Sequence, residues 1–311
     1  MKKLWVWVLM GLLLCQIGWA AGPTKVVGVT FPSLLSPFYK KIADDVQELG
    51  TAQGYKIIVL APPKQTDYAE QVQIIEDFIQ KKVDTIMVCA TSEEATLPAL
   101  RKANKAKIPI IYFEKTAKIK GLTVASYVGC DNIQGGFMVG QAVAGILKSG
   151  KGNVVMITGV PGHDLNNQRQ QGFKEALKPF PGIKIIANQT ANWERAQAMS
   201  VMENILMAHP GKDDIDVVFG LCDEMALGAY QAIKAAGREG RIKIIGYDAN
   251  ADAIEAVKAG VLYGTLGQNG AQFGPAAADV LPLIFANGEV PQFTLIPCTF
   301  VTRANADEYV Q

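Results

Sequence analysis

Apolar positions in this chain fall into short continuous runs separated by stretches with helical spacing. The run at 26–30 (VVGVT) is largely β-branched, and after a Pro-containing loop Phe38, Ile42, Val46 and Leu49 recur every three or four residues until Gly54. The same alternation predicts strands over 55–60, 85–89, 110–113 and 124–128. Between them, helices are marked by Val72, Ile75 and Ile79, by 95–103, and by 133–147, the last closing at Gly150. The pattern then restarts, with strands over 154–158, 183–187, 217–221, 242–246 and 263–266 and helices running to Leu177, over 196–207, to Gly237 and over 251–259. Continuous apolar strands alternating with helices predict an α/β fold in which parallel sheets are covered on both faces. The restart predicts two such units.

An internal repeat supports that halving. Residues 85–115 read TIMVCATSEEATLPALRKANKAKIPIIYFEK, and residues 216–248 read DVVFGLCDEMALGAYQAIKAAGREGRIKIIGYD. In each, a strand runs into a cysteine, acidic residues open a helix, and a second strand ends in an aromatic followed by a carboxylate. Cys89 and Glu114 are 25 positions apart, Cys222 and Asp248 26. The competing reading is that any two βαβ units look alike. Against it, the matching residues sit at the carboxyl ends of strands, where open α/β sheets bind ligands. Two similar lobes facing each other would place both sets on one cleft.

Composition narrows the class. A length of 311 residues accommodates about two domains. With 30 basic and 29 acidic residues the net charge is +1, which argues against a nucleic-acid binder, and 49% apolar against 19% charged residues argues against a disordered scaffold. Lys2 and Lys3, an apolar run over 4–14 and the small residues Gly18, Ala20, Ala21 and Gly22 form the three parts of a secretory signal, with cleavage expected after Ala20. An uncleaved anchor over 4–20 is the competing reading. Lipidation at Cys15 is disfavoured by the bulky Leu14 before it. Removal of 1–20 leaves 28 basic residues against 29 acidic ones, a neutral, exported chain.

Four cysteines then remain, Cys89, Cys130, Cys222 and Cys298, too few and too scattered for a disulfide framework. No two lie at zinc-ligand spacing, and His163 and His209 are the only histidines, so no metal site is expected. The run GILKSGKG at 145–152 misses the P-loop pattern at its last position and precedes a strand instead of following one. No GxGxxG opens the first helix and no GxSxG elbow occurs. The sequence offers no handle for catalysis or for a cofactor.

The segment SPFYKKIADDVQELGTAQGY at 36–55, CDNIQGG at 130–136, DEMALGA at 223–229 and IGYD at 245–248 resemble periplasmic monosaccharide-binding proteins of the ribose- and galactose-binding type. The resemblance spans about 25–303, and the leader, in place of a DNA-binding headpiece, points to the exported branch of that superfamily. It implies two Rossmann-like lobes joined by a three-strand hinge, a sugar in the cleft, and a permease or receptor that reads the closed form. The lobes implied are 24–130 plus 269–297 and 131–268 plus 298–311.

By the same resemblance, Phe38, next to Pro37 and followed by Tyr39, lies against one sugar face and Trp193 against the other. Arg169 matches the arginine that donates to sugar hydroxyls, His163 resembles the galactose-type histidine just upstream, and Asp248 and Gln268 come from the second lobe. Glu114 and Lys115 stand where the family usually has Asp-Arg. Each has a competing structural reading: Phe38 as a core neighbour of Ile42, Trp193 as a helix-start staple, His163 as a loop hydrogen-bonder, and Glu114 with Lys115 as a solvated pair. Cys89, Cys222 and Ser36 replace asparagines common in the family. Fewer amides mean fewer hydrogen bonds to hydroxyls, each worth about 0.5–1.5 kcal/mol, so a ligand with fewer hydroxyls on that edge, or a less polar derivative, is expected. Cys130 and Cys298 would both lie on hinge crossings, where a disulfide and two reduced thiols are both open.

The expectation is therefore an exported, monomeric solute-binding protein for a sugar-like molecule, delivering it to an ABC-type permease without chemistry. A neutral chain suits an uncharged ligand, which needs no steering field. A sensor subunit for a chemoreceptor or histidine kinase would use the same cleft. From a different class, an exported α/β enzyme would use Glu114 or Asp248 as base and His163 as acid.

Overall fold

The computed structural model describes residues 24–309; the leader expected over 1–20, with Cys15, lies outside the described residues. The first half runs β1 (Val26–Thr30), α1 (Pro37–Ala52), β2 (Lys56–Leu60), α2 (Tyr68–Gln80), β3 (Thr85–Val88), α3 (Glu93–Lys105), β4 (Ile110–Phe113), β5 (Ser126–Gly129) and α4 (Asn132–Ile146). The second runs β6 (Lys151–Thr158), α5 (Asp164–Leu177), β7 (Gly182–Thr190), α6 (Arg195–Ala208), β8 (Val217–Gly220), α7 (Asp223–Ala235), β9 (Lys243–Asp248), α8 (Ala251–Lys258) and β10 (Gly264–Gly267). Helix α9 (Gly270–Phe285) and strands β11 (Phe293–Leu295) and β12 (Thr299–Thr302) complete the described chain.

The strands form two six-stranded sheets with the same order, β2-β1-β3-β4-β5-β11 and β7-β6-β8-β9-β10-β12. All pairs are parallel except β10 with β12. The repeat seen in the sequence is thus a repeat of topology. In each sheet the order reverses once, between β1 and β3 and between β6 and β8, which opens a crevice at the carboxyl ends of the strands. The chain passes from the first sheet to the second after β5, returns after β10, and passes over again between β11 and β12. These crossings fall near Cys130, Gln268 and Cys298.

The strands are apolar throughout because helices cover both faces. Phe31, Ile42, Phe113 and Phe273 pack on one face of the first sheet, and Ile75, Phe78, Ile86 and Leu100 on the other. Phe173, Met202, Phe219, Met225 and Tyr247 fill the second lobe. Strand β6 begins at Lys151, three residues before the apolar run that predicted it, and β7 extends to Thr190. Helix α9 carries no clean helical signature because Pro275, Pro282, Gly270 and Gly274 interrupt it; packing against α1 holds it in place.

Helices α4 and α5 approach so closely that a Cβ on Gly172 would stand 1.8 Å from the Ile133 carbonyl oxygen, and one on Gly136 2.1 Å from that of Arg169. This contact fixes where α5 presents Arg169 and accounts for the second glycine of the CDNIQGG segment; a Cβ on the first, Gly135, would stand 2.2 Å from the Tyr247 hydroxyl. Overpacking against backbone cannot be relieved by a rotamer change. Gly172→Ala is expected to destabilise the protein by about 3 kcal/mol, measured by urea unfolding against wild type.

Candidate functional site

Both sheets end in a carboxylate held by strained backbone. Glu114, directly after β4, has φ 54°, and Asp248, the last residue of β9, has φ 112°. Trp193, after β7, has φ 67°. Non-glycine residues at positive φ cost of order 1–3 kcal/mol each, and the surrounding structure must over-determine them. All three line the space between the two sheets' carboxyl edges.

Arg169 of α5 is the centre of that space. Its Nε donates to Asn132 Oδ1 at 2.9 Å and its Nη1 to the Leu221 carbonyl at 2.7 Å. The guanidinium lies 3.7 Å from the centroid of the Tyr247 ring, whose hydroxyl donates to the same Asn132 oxygen at 3.2 Å. Asp248 Oδ1 and Glu114 Oε1 stand 3.5 and 3.6 Å from its nitrogens. Burial opposes the charge on Arg169, but Tyr247, Asp248 and Glu114 outweigh it and hold the group protonated. Burial, with the Glu114 charge adding to it, pushes the Asp248 carboxyl up to about 7 against the pull of Arg169 and Gln268.

A narrow cavity of about 20 Å³ lies among these groups, lined by Ser36, Phe38, Tyr39, Glu114, Arg169, Trp193, Cys222 and Asp248 of the residues expected from sequence. A larger depression of about 650 Å³ lies away from it, between Tyr230, Tyr263 and Arg303, and has no converging buried charges. Lys115, Cys89 and His163 line a second narrow cavity of about 20 Å³ that shares Glu114 and Leu165 with the first. Lys115 does not point at the centre. Its ammonium bridges Glu93 of its own lobe and Asp164 of the other. Gln268 lies behind the site, donating to Asp248 Oδ1 at 2.7 Å and accepting from the Cys130 thiol at 2.7 Å. Cys130 also hydrogen-bonds Cys298, and all four described cysteines are free thiols.

Tyr39 donates to Glu114 Oε2 at 2.8 Å, with the Cys89 sulfur 3.6 Å from the same oxygen. Glu114 Oε1 and Trp193 Nε1 are buried without a hydrogen-bond partner. Among the described residues no group of His, Cys, Asp and Glu is arranged to hold a metal ion.

Sequence reasoning passed over Gln65, Leu165 and Glu224, which also line the main cavity, and Asn132 and Tyr247, which position Arg169. Glu224 and Asn132 sat inside quoted motifs, whereas Gln65 had no signal. Two motif residues are structural: Asp223 accepts from the Asn250 amide at 2.7 Å and the Thr265 hydroxyl at 2.6 Å, and a Cβ on Gly246 would stand 2.2 Å from its Oδ1. DEMALGA and IGYD therefore meet each other, fixing the turn that carries Asp248.

His163, at the start of α5, packs edge-on against Trp193 and hydrogen-bonds the backbone of Ala90 in the other lobe. Burial, with the Arg169 charge next, pushes its pKa down to about 4. The unfolded chain takes up this proton near pH 6.5 and the folded chain does not, so the contribution to stability is full above pH 6.5 and lost as pH falls towards 4. Asp248, raised in the fold, acts in the opposite sense over roughly pH 4–7. Comparison with His163→Gln separates the two: between pH 7 and 4.5 wild type is expected to lose about 3 kcal/mol more than the variant, measured by chemical denaturation at each pH.

Comparison with known proteins agrees with this architecture. A family profile described as "Periplasmic binding protein domain" matches residues 27–289. The ribose import binding protein of Haemophilus influenzae is 32% identical over 268 residues, covering 86% of this chain and 88% of the relative. Among solved structures, a periplasmic solute-binding protein of an ABC transporter from Actinobacillus succinogenes with bound D-allose superposes with TM-score 0.84 at 32% identity, covering 92% of this chain and all of that one. A solute-binding protein from Bacillus halodurans with bound myo-inositol gives TM-score 0.83 at 30% identity, covering 93% and 98%. The two matched sheets, the hinge crossings and these similarities place the chain in the periplasmic binding protein family, as a monosaccharide-binding member with the type I fold.

Proposed function

We propose that this protein captures a sugar or sugar-like molecule in the cleft between its lobes, closes over it by hinge motion and delivers it to an ABC-type permease. The observation that carries this reading is the arrangement around Arg169. Two carboxylates and a guanidinium from different lobes meet in one buried cavity, and Phe38 and Trp193 line the same cavity. Charge-assisted bonds to hydroxyls combine there with apolar faces for C–H surface, which is what holding a polyol in a dry site requires. The lobes that move are 24–130 plus 269–297 and 131–268 plus 298–311. Relatives that import ribose and D-apiose, and neighbours bound to D-allose and myo-inositol, support a polyol of similar size.

Export through the 1–20 leader to the periplasm and a monomeric state belong to the same proposal, as does the absence of chemistry. His163 is committed to Ala90 and held neutral by burial, so it does not serve as the acid at neutral pH. Cys89 and Cys222 border the cavities where amides would donate to hydroxyls, which favours a ligand differing from a simple pentose or hexose along that edge. Native mass spectrometry of freshly purified protein is expected to reveal a co-purifying polyol-sized ligand, and that ligand is expected to raise the melting temperature and shrink the radius of gyration in solution scattering. Recovery of a chemically altered ligand after incubation would replace this reading with an enzymatic one.

A further inference from the structure

The whole chain is nearly neutral, but the cleft is not. Glu93, Glu114, Asp164, Glu224 and Asp248 line the two joined cavities, against Lys115 and Arg169 as the only cations lining them. Lys115 is taken by Glu93 and Asp164 at one rim. At the other rim Glu224 is held by Arg195, at 2.7 and 3.0 Å, which also reaches Asp252. The centre is left with one guanidinium between two carboxylates.

That guanidinium is not fully available to either carboxylate. Its shortest hydrogen bonds go to Asn132 and to the Leu221 carbonyl, and both acids stand 3.5–3.6 Å away. Glu114, only 3% exposed, accepts one good hydrogen bond through Oε2, from Tyr39, while Oε1 has no hydrogen-bond partner. Cys89 contributes a weak thiol where a stronger donor would satisfy the acid. His163 is neutral and adds no positive charge. Excess charge in a water-poor site costs several kcal/mol unless a counter-charge arrives or a carboxyl takes up a proton, as Asp248, raised to about 7, does in part at neutral pH. A ligand hydroxyl donates to Oε1 without removing that excess, whereas an ammonium does both.

We propose that the ligand carries a cationic nitrogen, as in an amino sugar or amino polyol, seated against Glu114 between the lobes. The proposal rests on the sugar-binding reading above and narrows its ligand. It also fixes a pH dependence. The Asp248 carboxyl, raised to about 7, takes up a proton in mild acid, and that proton competes with a bound cation.

Calorimetric titration of the mature protein, stripped of ligand, with matched pairs tests it: D-glucosamine against D-glucose, D-galactosamine against D-galactose, and 1-amino-1-deoxy-D-sorbitol against D-sorbitol. One amine is expected to bind at least tenfold tighter than its hydroxyl counterpart at pH 7.5, and to lose roughly tenfold in affinity by pH 5.5, while the counterpart changes less. Glu114→Gln is expected to bring the pair to within about threefold, with circular dichroism confirming that the variant is folded; should it not fold, the wild-type pairs and their pH dependence decide alone. Equal or tighter binding of the neutral members overturns the proposal and leaves the sugar-binding reading standing. If no member of any pair binds, the sugar-binding reading falls and takes the proposal with it.

Discussion

The structure is organised around the burial of one guanidinium. Taking Arg169 out of water carries a desolvation cost of several kcal/mol, recovered only where every direction of the group meets a partner. Asn132 and Leu221 accept its hydrogen bonds, Tyr247 covers its face, and Asp248 and Glu114 balance its charge from two different lobes. Each partner imposes a further demand. Asn132 must open α4, so α4 must lie tightly on α5; Asp248 must turn inward, so Asp223 and Gly246 must interlock beneath it.

The same network joins the lobes to their hinge. Arg169 with Glu114, Lys115 with Asp164 and His163 with Ala90 all reach across the cleft. From Asp248 a run of hydrogen bonds passes through Gln268 to Cys130 and on to Cys298, touching all three places where the chain crosses between lobes. The polar contacts are thus contiguous from the carboxylates to the crossings, and low local dielectric strengthens each one.

Most of the architecture was legible in the sequence because it depends on period and on strand ends. Apolar runs such as 110–113 coincide with β4, and the Cys-to-carboxylate spacing anticipated that Glu114 and Asp248 occupy matching places. Helix α9 was hidden by Pro275 and Pro282, since tertiary packing overrides a propensity that local reading must respect. At the site, residue types were readable but directions were not. Nothing in the order of Glu114 and Lys115 says that the carboxylate turns inward while the ammonium turns to Asp164, because that choice is made by a charge more than forty positions away. Tyr247 looked like an ordinary strand aromatic until the fold laid Arg169 on its face.

The left-handed backbone at Glu114 and Asp248 sets folding and capture against each other at the same two positions. Glycine at either would relax the chain, since it alone adopts such angles freely, and would delete a carboxylate that lines the cleft. Glycine would ease either backbone but leave the buried Arg169 short of a counter-charge, so the strained angles are held in place by the guanidinium's demand for both acids.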